Sequence, residues 1–129
     1  MIAQLNADDI VDGVLVQLPL PKHISEVKMI KAIDKAKDVD GFHPLNVAGL
    51  WQKTPHMEPC IPKGIMYLLK EIAIDPKGKR AVVIGRSNIV WLPVTKMLLD
   101  ANAIVSQCHT RTVDMPVVTR QVEILVVAT

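Results

Sequence analysis

The chain has 129 residues, enough for one domain or two partial ones; half are hydrophobic and 22% are charged. That balance supports a packed core and argues against a disordered chain. A net charge of +2 and 3% aromatic residues argue against a nucleic-acid partner, which needs a basic surface interleaved with stacking rings.

Met1 to Asp9 carries two acids and no basic side chain, which is not the pattern of a signal or transit peptide. The cysteines, Cys60 and Cys108, share no ligand spacing, and reduced thiols in a cytoplasmic protein are the expectation. No apolar run approaches the roughly 20 residues that cross a bilayer, so no membrane is expected. Val14-Leu15-Val16-Gln17-Leu18 reads as a short buried strand stopped by Pro19 and Pro21. Ser25 is placed to cap a helix through Ile33, whose apolar face is Val27, Met29, Ile30 and Ile33. Asp38 to Pro62 is rich in Gly, Pro, His and Asn and is expected to be a long irregular stretch.

Pro62 and Lys63 open a helix with Ile65, Met66, Leu68, Leu69 and Ile72 at helical spacing, the Met66-Leu68-Leu69 stripe being core. Asp75-Pro76-Lys77-Gly78 is a turn and marks the boundary between two parts. Beyond it the pattern is strand 80–85, helix 93–101, strand 103–108, a short helix near 114–121 and strand 123–128. Strands alternating with helices imply an α/β fold with a parallel sheet and right-handed crossovers. Three strands make a nucleotide-binding half, and the last reaches the end of the chain, so the sequence reads as part of something longer.

The most informative stretch is Arg80 to Val90. An apolar run ends at Gly85, a polar turn follows, and a helix begins near Pro93. The first N–H groups of a helix lack intrahelical partners and favour an anion, and Arg86 adds a fixed cation. The expected ligand is a phosphorylated nucleotide.

Asp12 to Pro21, Lys37-Asp38-Val39-Asp40-Gly41-Phe42-His43-Pro44, Pro59-Cys60-Ile61-Pro62-Lys63-Gly64, Gly85-Arg86-Ser87-Asn88-Ile89-Val90 and Cys108-His109-Thr110-Arg111-Thr112 occur in that order. Together they resemble the bifunctional methylenetetrahydrofolate dehydrogenase/cyclohydrolase family, from near residue 5 to residue 129. The resemblance implies residues 1–75 as part of an α/β folate-binding domain and 76–129 as part of a Rossmann-like NAD(P)-binding domain. It implies NADP, with NAD as the alternative cofactor, tetrahydrofolate derivatives as substrates, and a homodimer for the full-length family. The reactions are oxidation of 5,10-methylenetetrahydrofolate and hydrolysis of the methenyl product to 10-formyltetrahydrofolate.

By the same resemblance Gln17, with Pro19 nearby, sits beside the one-carbon unit, and Asp40 accepts hydrogen bonds from the pterin. Gly85, Arg86 and Ser87 hold the cofactor phosphates, with Arg86 and Thr110 near the adenosine 2′-phosphate. These residue types suit those tasks: an ionised Asp accepts strongly from N–H groups, Gln both donates and accepts, and the Arg fork matches a phosphate. On their own, Gln17 reads more simply as a strand-end residue bonded to backbone, and Asp38 and Asp40 as Asx-turn residues. His43, His56 and His109 share no metal-ligand spacing, and no metal is expected.

The chain also departs from the family pattern. The family's tyrosine and catalytic lysine, four apart on one helix, belong upstream of the Gln17 motif and are not among these residues. Tyr67 and Lys70 are three apart and unrelated to them. The family's Pro-Gly-Gly-Val-Gly-Pro stretch belongs beyond residue 129. Ile61 stands where the family has threonine. Where the family has Val-Gly-x-Pro, this chain has Val90-Trp91-Leu92-Pro93, and the indole either fills the dinucleotide site or turns away and leaves the phosphates untouched. A chain without the lysine is expected to lack cyclohydrolase activity. The competing reading is a non-catalytic module that binds nucleotide or pairs with another subunit.

Overall fold

In the computed structural model, residues 1–127 are described, and they form two compact units, 1–59 and the part beginning at Cys60. The first unit holds three helices: α1 (Ile2–Ala7), α2 (Glu26–Ala32) and α3 (Pro44–Trp51). Helix α2 starts as expected, with the Ser25 side chain accepting from the Lys28 N–H, and Ile33 at its end is buried. Helix α1 has no counterpart in the sequence reading, and none of its residues is buried.

Two expectations for this unit are corrected. The strand expected at Val14–Leu18 is a single parallel bridge, Val14 with Asp38, made as the Val14 N–H donates to Lys37 O at 2.7 Å. A ladder needs a continuous partner, and here pairing stops after one residue, leaving Leu15 61% exposed. The stretch read as irregular contains α3. His43 caps it, its ring accepting from the Leu45 N–H, Pro44 occupies the first turn, and Asn46 and Leu50 are buried.

The second unit is a parallel three-stranded sheet in the order β2-β1-β3, formed by β1 (Arg80–Ile84), β2 (Ile104–Cys108) and β3 (Ile124–Val127). Residue 128, the last of the third predicted strand, lies outside the described residues. Register pairs Ile84 with Cys108 on one side of β1 and with Val127 on the other. Helices α4 (Cys60–Glu71), α5 (Trp91–Asp100) and α6 (Met115–Thr119) complete the unit. Helix α5 is buried along most of its length, including Lys96, which is 5% exposed and ion-paired with Asp100 one turn on.

The core joins Ala81 and Val83 of β1, Trp91, Val94 and Leu98 of α5, Ala103, and Ile124 and Val126 of β3. Ile65, Met66 and Leu69 of α4 and Ile74 pack against it. That packing puts α4 in the second unit, so the division falls between Pro59 and Cys60 and not at the 75–78 turn. The stripe read as core along α4 is corrected in part: Leu68 is 62% exposed, as is Ile72 beyond it at 64%, because the face of Ile65, Met66 and Leu69 is the one turned to the core, where α4 packs on α5.

Candidate functional site

The turn after β1 is tied down from both sides of one residue. The Gly85 N–H donates to Cys108 O at 2.8 Å, and Gln107 Nε2 donates to Gly85 O at 2.8 Å. Gly85 has φ +136°, a conformation that side chains rarely tolerate, and a Cβ built there would run into the Trp91 indole. Glycine is thus required twice, by its dihedral and by its neighbour.

Further along, Ser87 takes up two donors: its Oγ accepts from the Val90 N–H at 3.4 Å and its carbonyl from the Leu92 N–H at 3.2 Å. The expectation that the helix start leaves its N–H groups open is therefore corrected for these two. The N–H groups of Arg86, Ser87, Asn88 and Ile89 meet no acceptor among the described residues. The Ser87 hydroxyl accepts and keeps its own proton to donate. Arg86 is exposed beside them. Open amides, a hydroxyl and a guanidinium form a donor set that fits a phosphate, and they lie at the carboxyl end of a parallel sheet, where ligands of open α/β folds bind.

The loop after β2 lies at the same sheet edge, because β1 and β2 run parallel and pair Ile84 with Cys108. It is closed by the His109 N–H donating to Thr112 Oγ1 at 2.8 Å and the Thr112 N–H donating to His109 O at 2.8 Å. The Arg111 N–H donates to His109 Nδ1 at 3.1 Å. Thr110 and Arg111 are left exposed. The fold thus brings Gly85, Arg86, Ser87 and Thr110 to one edge.

In the first unit, Gln17 is exposed and its Nε2 donates to the adjacent Leu18 O at 2.9 Å, as the backbone-bonding alternative expects. Leu18–Pro19 is a cis peptide bond. The bridge at Val14 and Asp38 is parallel, so the segments carrying Gln17 and Asp40 leave it in the same direction. Asp40 is half-buried, and its carboxyl is held above the usual aspartate range by burial first and by the nearby Asp38 carboxylate second. A more basic carboxylate is a stronger acceptor for an N–H edge. Asp38 itself is 4% exposed and accepts from the His43 N–H at 2.7 Å and from Asn46 Nδ2 at 2.8 Å. Gly41, at φ +70°, lets the loop pass close to Met57 O and Pro59.

Residues 59–129 match the sequence model described as the tetrahydrofolate dehydrogenase/cyclohydrolase NAD(P)-binding domain, more than half of the chain. The chain belongs to the tetrahydrofolate dehydrogenase/cyclohydrolase family. Residues 1–40 match the catalytic-domain model of the same family. A bifunctional protein FolD from Magnetococcus marinus is 56% identical over 128 residues, 99% of this chain and 45% of that protein. The crystal structure of the bifunctional FolD from Campylobacter jejuni matches with a TM-score of 0.95 at 50% identity, over 99% of this chain and 46% of that one. The Trypanosoma brucei FolD, complexed with NADP cofactor and inhibitor, matches with a TM-score of 0.91 at 35% identity, over 99% of this chain and 44% of that one. The chain therefore spans less than half the length of these family members.

One residue at these sites escaped the sequence reading: Gln107 holds the phosphate turn through the Gly85 carbonyl, and a polar residue penultimate in a strand was its only signal. Asp38, read as an Asx-turn residue, organises the Asp40 loop through the His43 N–H and the Asn46 amide.

Proposed function

We propose that the chain serves one-carbon folate metabolism, as part of an enzyme that oxidises 5,10-methylenetetrahydrofolate with NADP and hydrolyses the methenyl product to 10-formyltetrahydrofolate. The observation that carries the reading is the turn at Gly85: a donor-rich loop at the carboxyl edge of a parallel sheet, within residues 59–129 that match the NAD(P)-binding domain of the family. The dinucleotide, when bound, supplies hydride acceptance. Gly85 lets the backbone approach a phosphate, Ser87 and the open amides donate to it, and Arg86 neutralises charge. The loop at β2's end carries Thr110 and Arg111 and no acid between Cys108 and Thr112. An acid there would suit a free 2′-hydroxyl, whereas hydroxyl and guanidinium suit a 2′-phosphate, so NADP is favoured over NAD.

In the first unit the proposal gives Asp40 to the N–H edge of the pterin and Gln17, with Pro19, to the one-carbon end. The Gln17 amide must exchange its bond to Leu18 O for one to substrate, at little cost for an exposed group. Residues 60–127 are assigned to cofactor binding and 1–59 to the folate side. The proposal extends to a cytoplasmic homodimer. Its test is cofactor titration by calorimetry. Arg86→Ala is expected to weaken NADP about ten-fold more than NAD, the loss of one charge-assisted contact; equal weakening of the two would remove Arg86 from the 2′-phosphate.

A further inference from the structure

The polar atom of Trp91 is the feature that the proposed function leaves unused. Trp91 is the first residue of α5 and 9% exposed, a member of the core cluster with Ala81, Val83 and Val94. Its indole lies against Gly85, and the atom nearest the position of a Gly85 side chain is Nε1. A buried indole N–H ordinarily finds an acceptor, and among the described residues no acceptor takes this one. Nor is it sealed in: among the described residues, Thr95 Oγ1 is the side-chain polar atom that lies shut off from solvent with no partner. The Trp91 N–H therefore opens at the turn, next to the free amides of Arg86 to Ile89.

We propose that Trp91 is a ligand-binding residue of the phosphate turn, its indole N–H donating to a phosphate oxygen of the dinucleotide. Of the two alternatives drawn from the sequence, the outward swing is excluded, because the ring is packed into the core against Gly85. A glycine at this position would bring backbone closer to the phosphate; the indole supplies a neutral donor from below in its place. The body of the ring meanwhile packs against Gly85, whose N–H and carbonyl are held by Cys108 and Gln107. The inference rests on the dinucleotide reading and adds a contact to it.

The test uses the complete 129-residue chain and two readouts. In amide and indole nitrogen–proton NMR spectra, addition of NADP or of inorganic pyrophosphate is expected to shift the Trp91 indole resonance downfield, with the Trp51 indole as the internal control. Trp91→Phe keeps an aromatic wedge and removes the donor; it is expected to bind NADP about ten-fold more weakly, as loss of a hydrogen bond to a charged group predicts. If the wild type binds NADP while its Trp91 resonance stays still, or if the Phe variant binds equally well, the role of Trp91 is overturned and the dinucleotide reading stands. Tighter binding by Trp91→Gly would make the indole an obstacle and overturn it too. A folded wild-type chain that binds no NADP overturns both.

Discussion

The two units are held together by different means. The second has a hydrogen-bonded sheet and an apolar cluster in which Val83, Val94 and Leu98 are fully buried. The first has one backbone bridge and is tied largely by side chains reaching backbone: Asn6 Nδ2 to Ala32 O at 2.8 Å, Lys37 Nζ to Asp8 O at 2.7 Å, and the Asp38 carboxylate to the His43 N–H. A core distributes its stabilisation over many small contacts, whereas a polar tie concentrates it in a few groups. The difference predicts where each unit breaks.

The largest effect is expected from Leu98→Ala, which opens a cavity in the sheet cluster at a cost of about 2–5 kcal/mol. Trp91 in the second unit and Trp51 in the first are the chain's two tryptophans, so urea unfolding followed through single-tryptophan variants reads each unit. The Trp91 signal should move to lower urea; a loss confined to the Trp51 signal would break the comparison. Next comes Asp38→Ala, which deprives the His43 N–H of its acceptor and should cost about 1–3 kcal/mol. Faster hydrogen exchange across Pro44–Trp51 with unchanged exchange in β1 is the expected pattern, and uniform acceleration would contradict it.

The smallest effects are those of pH, and they should have opposite signs. Folded Asp40 keeps its proton to higher pH than in the unfolded chain, so its contribution to stability falls as pH rises from the usual aspartate range through its raised value. Glu123 is held below the usual glutamate range, first by its hydrogen bond from Lys79 and then by the Arg80 N–H. Its contribution is present above the ordinary glutamate value and is lost as pH falls through the lowered one. Being exposed, that pair contributes little. Carboxyl NMR titrations of the two residues should move apart in these directions, and Asp40→Asn and Glu123→Gln should each flatten the corresponding slope of stability against pH.

The same contrast explains what could be read from the amino acids alone. Arg80–Ile84, Ile104–Cys108 and Trp91–Asp100 emerged close to their bounds because burial against a common core imposes a period on the side chains. Helix α3 and the bridge at Val14 were misread, since their determinants are the capping ring of His43 and the distant Lys37 carbonyl that takes the Val14 N–H, which leave no period. The turn that carries Gly85 and Arg86 was legible as the break between an apolar strand and a helix. The indole beneath Gly85 was not, because the direction of a side chain at the first residue of a helix depends on the packing around it.

The strand order β2-β1-β3 also sets a sequence of events. The central strand is the first of the three to leave a ribosome, and both of its neighbours follow it, so Ala81–Ile84 waits unpaired until Ile104–Cys108 and then Ile124–Val127 arrive. At about 5–20 residues per second, the gap from Ile84 to Val127 lasts on the order of seconds, far longer than microsecond collapse of a short segment. During that interval α5, which follows β1 directly, is the element at hand to cover Ala81 and Val83. Trp91 and Val94 then shield an apolar strand in a nascent chain before they close a core in the finished one.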